Sequence, residues 1–397
     1  MWRYFPLLVL MCALAATESP IFGETGTPEP TPAATLLLPY FELHEELDPD
    51  GRRTVFTIGN VRPEPVLTNV TLWTNRSVPT IRFNVYLGGY DLQTIDLREL
   101  FQGTVPITGE TVHPAGALSL QNVAFPGCSD PVAEDLTSEE VAHLQAAHSG
   151  QPSETFGGLC AGTSTGGSYT GYVTIDAVER CSTDVPYPSS DGYFEDPDRV
   201  ASDRNVLWGD YQHLDPANDL AVGDPLVHLE ADAINPETIV DGQYTFYARY
   251  VGSSAVDHRE PLSTNWWVPF EEAFETTSSL VVWRDAPGSA APFECGSTPD
   301  PFPLDEGAVV FFDGAGGGSP AANQLLFPDE SQLVPVRGIT GTRKGTAFLN
   351  LNATDPVAEE STQSWVTVLR SYDGRFWVGH SGVGRVSATN ADVEGEP

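Results

Sequence analysis

The chain has 397 residues, and 55 Asp and Glu against 19 Lys and Arg give a formal net charge of −36. A surface that acidic speaks against nucleic acid and anionic membranes as partners, since both need a basic face. The charge reads as a solvated acidic shell or, more sharply, as loops able to hold calcium.

Met1–Ala15 has the make-up of an export signal. Arg3 supplies the positive start, Leu7–Ala13 the apolar run, and Ala13-Leu14-Ala15 a small-x-small cleavage site. Met11 is too large for a lipid-attachment box at Cys12, and a bilayer span needs roughly 20 apolar residues. The expectation is a secreted or periplasmic chain with no membrane span. Residues 16–34 then form a Pro/Thr-rich linker with nothing to bury.

The folded part begins with strand patterns at 36–43, 54–60, 66–75, 80–87 and 90–97. In the fourth, Ile81, Phe83, Val85 and Leu87 share one face. These predict an N-terminal β-sandwich over 35–125. Asp48-Pro49-Asp50-Gly51 imitates the start of a calcium loop but lacks the later ligands, so a turn is the simpler reading. Asn69, Asn75 and Asn352 sit in glycosylation sequons, a cheap match.

Residues 126–168 read as a cysteine-containing loop with one short helix, Ser138–His148. Thr137 and Glu140 form its capping box, Leu144 packs down, and His143 and His148 are expected on the exposed side. After signal removal four cysteines remain: Cys128, Cys160, Cys181 and Cys295. An even count in an exported chain predicts two disulfides, taken as Cys128–Cys160 and Cys181–Cys295. Gly162-Thr163-Ser164-Thr165-Gly166 matches a nucleophile elbow in letters only, because a strand rather than a helix follows Ser164.

A C-terminal β unit is predicted over 169–386, followed by a polar tail at 387–397. The whole is mainly β, an antiparallel β-sandwich architecture of two packed β units with a loop-rich insertion; one large double-layered sandwich is the alternative. Strands are expected at 169–178, at Val206/Trp208, at 226–231, at 243–251 after the Asp241-Gly242 turn, and at Val281/Trp283. Others follow at 308–312, 347–351 and 365–379, the last folded at Asp373-Gly374.

Three constellations in the 204–284 stretch could carry chemistry. Asp257-His258-Arg259-Glu260 is the densest ionisable cluster, and His258 could serve as a general base oriented by Asp210 or Glu230. Ion-pair networks gather the same residues without catalysis, with Arg259 forked onto carboxylates; this is the preferred reading. His228 and Glu230 share the outer face of one strand and could ligate one metal ion. Trp208, Tyr211, Trp266 and Trp267 could form a stacking platform for sugars, although adjacent Trp266 and Trp267 must point to opposite sides.

The runs LLPYFEL, TVFTIGNVRPEPVLTNVTLW, GYVTIDAV, NVLWGDY, DPLVHLEAD, TFYARYVG, DHREPL and LVVWRD resemble a group of exported bacterial β-rich proteins. The resemblance implies a shared β-rich fold and export over most of the chain, and it transfers no activity, catalytic residue or cofactor. With no complete catalytic motif, the expectation is an exported, non-enzymatic protein with a surface or interaction role and a glycan or envelope protein as partner. The alternatives are an extracellular hydrolase centred on His258, His228 and nearby carboxylates, and a glycan-binding module.

Overall fold

The computed structural model describes residues 31–106, 135–180, 186–195, 199–231, 245–252, 256–273, 276–285, 291–297, 304, 307–321, 327–351, 363–372, 376–381 and 383–385. The leader, the Asp241-Gly242 and Asp373-Gly374 turns, Cys128, Cys181, Asn352 and the tail lie outside them.

The strands and helices run β1 (Thr35–His44), β2 (Arg53–Asn60), β3 (Val66–Thr74), β4 (Pro79–Leu87), β5 (Leu92–Asp96), α1 (Leu97–Phe101), α2 (Ser138–Ser149), β6 (Ser168–Val178), β7 (Leu207–Asp215), β8 (Leu220–Pro225) and β9 (Val227–Leu229). They continue with α3 (Ala248–Val251), β10 (Asn265–Glu271), β11 (Thr276–Arg284), β12 (Val309–Asp313), β13 (Gly318–Pro320), β14 (Ser331–Pro335), β15 (Lys344–Asn350), β16 (Ser364–Tyr372), β17 (Phe376–Ser381) and β18 (Val383–Arg385). Among the described residues the strands form four antiparallel sheets, ordered β4-β3-β6-β1-β9, β5-β2-β7-β8, β13-β12-β15-β10-β18 and β14-β11-β16-β17. The fold is mainly β, as the alternating patterns predict.

The partition differs from the one read along the chain. Strands β6 to β9, grouped by sequence with the later unit, are hydrogen-bonded into the first two sheets: β6 lies between β1 and β3, and β7 lies beside β2. Periodicity marks which residues make a strand but not which strand is its neighbour. Every residue of β6 is buried. Tyr169, Val173, Ile175 and Ala177 face the core shared with β2 and β7, while Tyr172 and Val178 join the core containing Trp266, Trp283 and Trp365. The sheet holding β6 is therefore a middle layer, covered on both sides.

Pro39 shapes the seam between the first two sheets and the later ones. Proline has no N–H to give to a ladder, and the β1–β6 register shifts between Leu38 and Phe41. The Pro39 carbonyl instead accepts from Ser331 Oγ at 2.7 Å. Tyr40 leaves the first core and packs with Val222, Val281 and Leu369.

Helix α2 has the expected capping box of Thr137 and Glu140 and ends on Gly150 in the left-handed conformation. Its histidines are buried, contrary to expectation: the 150–163 segment covers His143, while β4, β6, Phe41 and Phe101 enclose His148. His143 Nδ1 lies 2.6 Å from Ser153 Oγ, and His148 is held between Thr80 Oγ1 and the Thr170 carbonyl, both at 2.9 Å. Burial holds the His148 pKa down at about 3. Helix α1, capped by Asp96, was not foreseen.

The 243–251 strand is corrected too: its described part turns into α3. Thr245, Phe246, Tyr247 and Ala248 are all buried, so the alternation there never had a solvent side. The disulfide pairing is likewise corrected. Cys160 bonds to Cys295, with Cα atoms 5.1 Å apart. A reciprocal pair of backbone hydrogen bonds between Cys160 and Phe293 brings the two segments together, a contact across 135 residues that spacing along the chain does not encode.

Candidate functional site

The Asp257–Glu260 cluster is built around a charge in the middle layer. Asp176 sits in β6 on the face away from the first core, fully buried. Its carboxylate accepts hydrogen bonds from Thr35 Oγ1 at 2.5 Å, Tyr193 Oη at 2.9 Å and Tyr247 Oη at 3.0 Å. Burial raises its pKa, opposed by nearby Arg259 and the three hydroxyls.

Arg259 is completely buried and makes four hydrogen bonds within the protein. Nε donates to Thr35 Oγ1 at 3.0 Å, one terminal nitrogen to Asp203 Oδ1 at 3.0 Å and the Asp257 carbonyl at 2.6 Å, and the other to the Ser202 carbonyl at 2.8 Å. Its guanidinium also lies 5.3 Å from the centre of the Phe194 ring. His258 adopts φ 54°, in the left-handed region. That turn sends His258 toward solvent while Arg259 points inward. His258 Nδ1 is 2.8 Å from Asp203 Oδ2, and Arg199 also pairs with Asp203.

Asp257 is buried, with Oδ2 accepting from the Tyr247 N–H at 2.9 Å; burial pushes its pKa up. Burial, with Glu230 adding repulsion, raises Glu260 to about 7 against the hydrogen bond from the Glu230 N–H. Asp203, which sequence reasoning missed, orients His258 in place of Asp210 or Glu230. No periodicity marks Asp203, which the fold brings from 55 residues away. Chemically the His258–Asp203 pair is two parts of an acid–base relay. Among the described residues no Ser, Thr or Cys side chain hydrogen-bonds to His258 as a nucleophile would. Ser164 is an exposed loop residue, as expected.

His228 lies in β9 and Glu230 just past its end, and both fasten the segment before β1. His228 Nδ1 lies 2.5 Å from the Thr31 carbonyl and Nε2 3.4 Å from the Gly209 carbonyl, while Glu230 Oε1 accepts from the Thr31 hydroxyl at 2.6 Å. Burial lowers the His228 pKa. Among the described residues no group of three or more His, Cys, Asp or Glu side chains is arranged to hold a metal ion. Asp48–Gly51 closes as a turn, the Gly51 N–H on the Asp48 carbonyl at 3.0 Å. Asn69 and Asn75 are buried, which removes them as accessible glycan acceptors in the folded chain.

The four aromatics do not meet. Trp208 and Tyr211 point to opposite faces of β7, Trp208 half-buried and Tyr211 buried. Trp266 is sealed in the core, donating from Nε1 to Ser364 Oγ at 2.9 Å and packing edge-on to Trp365. Trp267 alone of the four is exposed, and it lies against Phe348 and Phe312.

A different pocket opens at the seam, and sequence reasoning did not identify it. Tyr40 and Glu42 from β1, Arg52 and Arg53 at the start of β2, His213, Leu214 and Asp215 from β7, and Leu333 and Leu369 from the sheet of β14 and β16 line a shallow depression that is largely open to solvent. The alternation of β7 puts His213 on its buried face with Leu207 and Tyr211. An inward-facing histidine in an otherwise regular strand was the available signal. His213 Nδ1 lies 2.9 Å from Thr54 Oγ1, while Nε2 is buried with no hydrogen-bond partner. Burial lowers its pKa to about 4, so the ring is neutral.

Among the described residues no helix is long and apolar enough to cross a membrane. No protein-family model, curated protein or solved structure matches this chain.

Proposed function

We propose that the chain is an exported, non-enzymatic β protein that acts by binding through its surface. The observation that carries this reading is how fully Arg259 and Asp203 are committed to the fold. Arg259 has no exposure and four hydrogen bonds to its own chain, and Asp203 divides its oxygens between Arg259, His258 and Arg199. Groups so committed hold a corner of the fold together and have little freedom to follow a reaction. The leader-like Met1–Ala15, the acidic surface and the Cys160–Cys295 bond suit an extracellular setting.

The His258–Asp203 pair keeps a hydrolase as the second reading, because a carboxylate on Nδ1 is how a catalytic imidazole is oriented. One experiment separates the two. The purified chain is assayed with chromogenic ester, glycoside and peptide substrates, with and without zinc or calcium. No turnover above buffer is expected. Turnover abolished by His258→Gln or Asp203→Asn, in variants that still fold, would establish the hydrolase instead.

A further inference from the structure

We propose that the outer face of the sheet containing β10, β15 and β12 is a platform on which a neutral oligosaccharide stacks against Trp267. This deepens the binding reading and rests on it. Alternation along β10 sends Trp266, Val268 and Phe270 into the core and leaves Asn265, Trp267, Pro269 and Glu271 on the outer side. The ladders set Phe348, Thr346 and Lys344 of β15 directly across from Trp267, Pro269 and Glu271. They set Val310 and Phe312 of β12 across from Phe348 and Thr346. Phe348 and Phe312 are half-buried, while Trp267 is 39% exposed. Two distances fix the attitude of the indole. Because β15 separates β10 from β12, rings standing straight up on Trp267 and Phe312 would lie about 10 Å apart, at about 4.8 Å per strand. Their centres are 5.9 Å apart, and Trp267 is 4.9 Å from Phe348. The indole therefore leans across β15 and rests on the two phenyl rings. What solvent meets is a ring face.

The size and borders of the patch select the occupant. The exposed 39% of Trp267 amounts to about 100 Å², taking about 250 Å² for the whole side chain. Each partner in a stable protein complex buries roughly 800 Å². The C–H side of a sugar ring, flat and apolar, is the smaller surface that fits. The apolar strip is also short, ending at Asn265 and Asn350 on one side and at Glu271 and Lys344 on the other. Glu271 and Lys344 stand 3.7 Å apart, with Lys344 73% exposed, so both remain open to a ligand. Sugar hydroxyls donate and accept, which answers an ammonium that only donates and a carboxylate that only accepts. The four residues from Trp267 to Glu271 span about 13 Å of strand, so a ligand touching both is a chain of sugars. Lys344 and Arg337 at this end each have a carboxylate, that of Glu271 and that of Glu272. The net charge of −36 repels an anionic glycan at long range. Arg343 is exposed there as well, so an anionic oligomer belongs in the test.

The test is isothermal titration of the purified chain with cellohexaose, laminarihexaose, xylohexaose, maltohexaose and chitohexaose, and with a galacturonic acid hexamer. The expected result is saturable binding of at least one neutral hexamer. Trp267→Ala, at an exposed position, should weaken it about tenfold while the circular dichroism and melting temperature show an intact fold. Trp267→Tyr keeps a ring to stack on and should recover most of the affinity. Lys344→Met should weaken the hexamer about threefold and leave the corresponding dimer unaffected, since the dimer does not reach it. No binding of any neutral hexamer, a preference for the galacturonic acid hexamer, or binding undiminished in Trp267→Ala or Lys344→Met would overturn the proposal. Self-association that Trp267→Ala abolishes, read by analytical ultracentrifugation, would make this face a contact between copies and overturn it too. A chain that binds no hexamer and turns over no substrate loses this inference and keeps the interaction reading. A chain that hydrolyses a hexamer bound through Trp267 keeps the platform and loses the non-enzymatic reading.

Discussion

His148 offers a sharp test of how the middle layer is closed. The Thr170 carbonyl can only accept, so His148 Nδ1 carries the ring proton, while Nε2 lies 2.9 Å from the Thr80 hydroxyl, whose single proton also has the Leu72 carbonyl within reach at 3.2 Å. The neutral ring is thus held at both nitrogens, and burial holds its pKa down from 6.5 to about 3. Between those two values the unfolded chain binds a proton that the folded chain does not, so stability falls as pH falls from 6.5 toward 3. Two pH units below 6.5, the proton taken up on unfolding is worth about 2.7 kcal/mol, at about 1.36 per unit. His213 acts in the same direction, and Glu260 and Glu330, raised to about 7, act in the opposite one. The total pH profile therefore mixes several groups, and a difference between two chains isolates one. His148→Gln has nothing to titrate. Urea unfolding of both chains, followed by tryptophan fluorescence at about pH 7.5 and about pH 4.5, should show the stability gap shift by roughly 3 kcal/mol in favour of the variant at the lower pH. An unchanged gap would mean that the imidazole is open to water and that α2 does not seal it.

Arg259→Met strands Asp203 and Asp176 without their buried cation and should cost about 3–5 kcal/mol in urea unfolding; a loss below about 1 kcal/mol would mean the cluster is hydrated. Peptide mapping without reduction should recover Cys160 joined to Cys295, and Cys160→Ser should lower stability by roughly 5 kcal/mol on the chain-entropy account of a long loop. A Cys128–Cys160 peptide would refute that link. Glu260→Gln should gain on the natural chain by about 1 kcal/mol above pH 7, after discounting for its partial exposure, because a carboxylate of raised pKa costs stability once it ionises; equal stabilities at pH 5 and pH 8 would argue against it. Trp266→Ala should cost about 3–5 kcal/mol, and Trp267→Ala well under half of that, since only the first is enclosed. Similar losses from both would place the two side chains in the same environment.

Much of the fold was legible because strand formation is a local matter. The strands from β1 to β4, and β6, follow from alternating apolar residues between Gly, Pro and Asn breaks, and Thr137 with Glu140 announces α2 two turns before its core contacts begin. Alternation failed at the 245–251 segment. Phe246 and Tyr247 both go inside, and a pattern read as half-exposed strand becomes a turn and a short helix. His143 and His148 were misplaced because distant segments cover them, the 150–163 loop over the first and β4 and β6 against the second.

By itself the sequence determined that this chain is β-rich, acidic and punctuated by tight turns, and that 257–260 is its densest ionisable run. These are properties of neighbours along the chain, where residue type and period suffice. Tertiary structure alone decided that Asp203 rather than Asp210 meets His258, that Cys160 finds Cys295, that β6 is covered on both faces, and that His213 lines the depression at the seam. Each of these joins segments far apart in the chain, and which distant segments pair is set by the total burial of the assembled sheets, a quantity no local stretch contains.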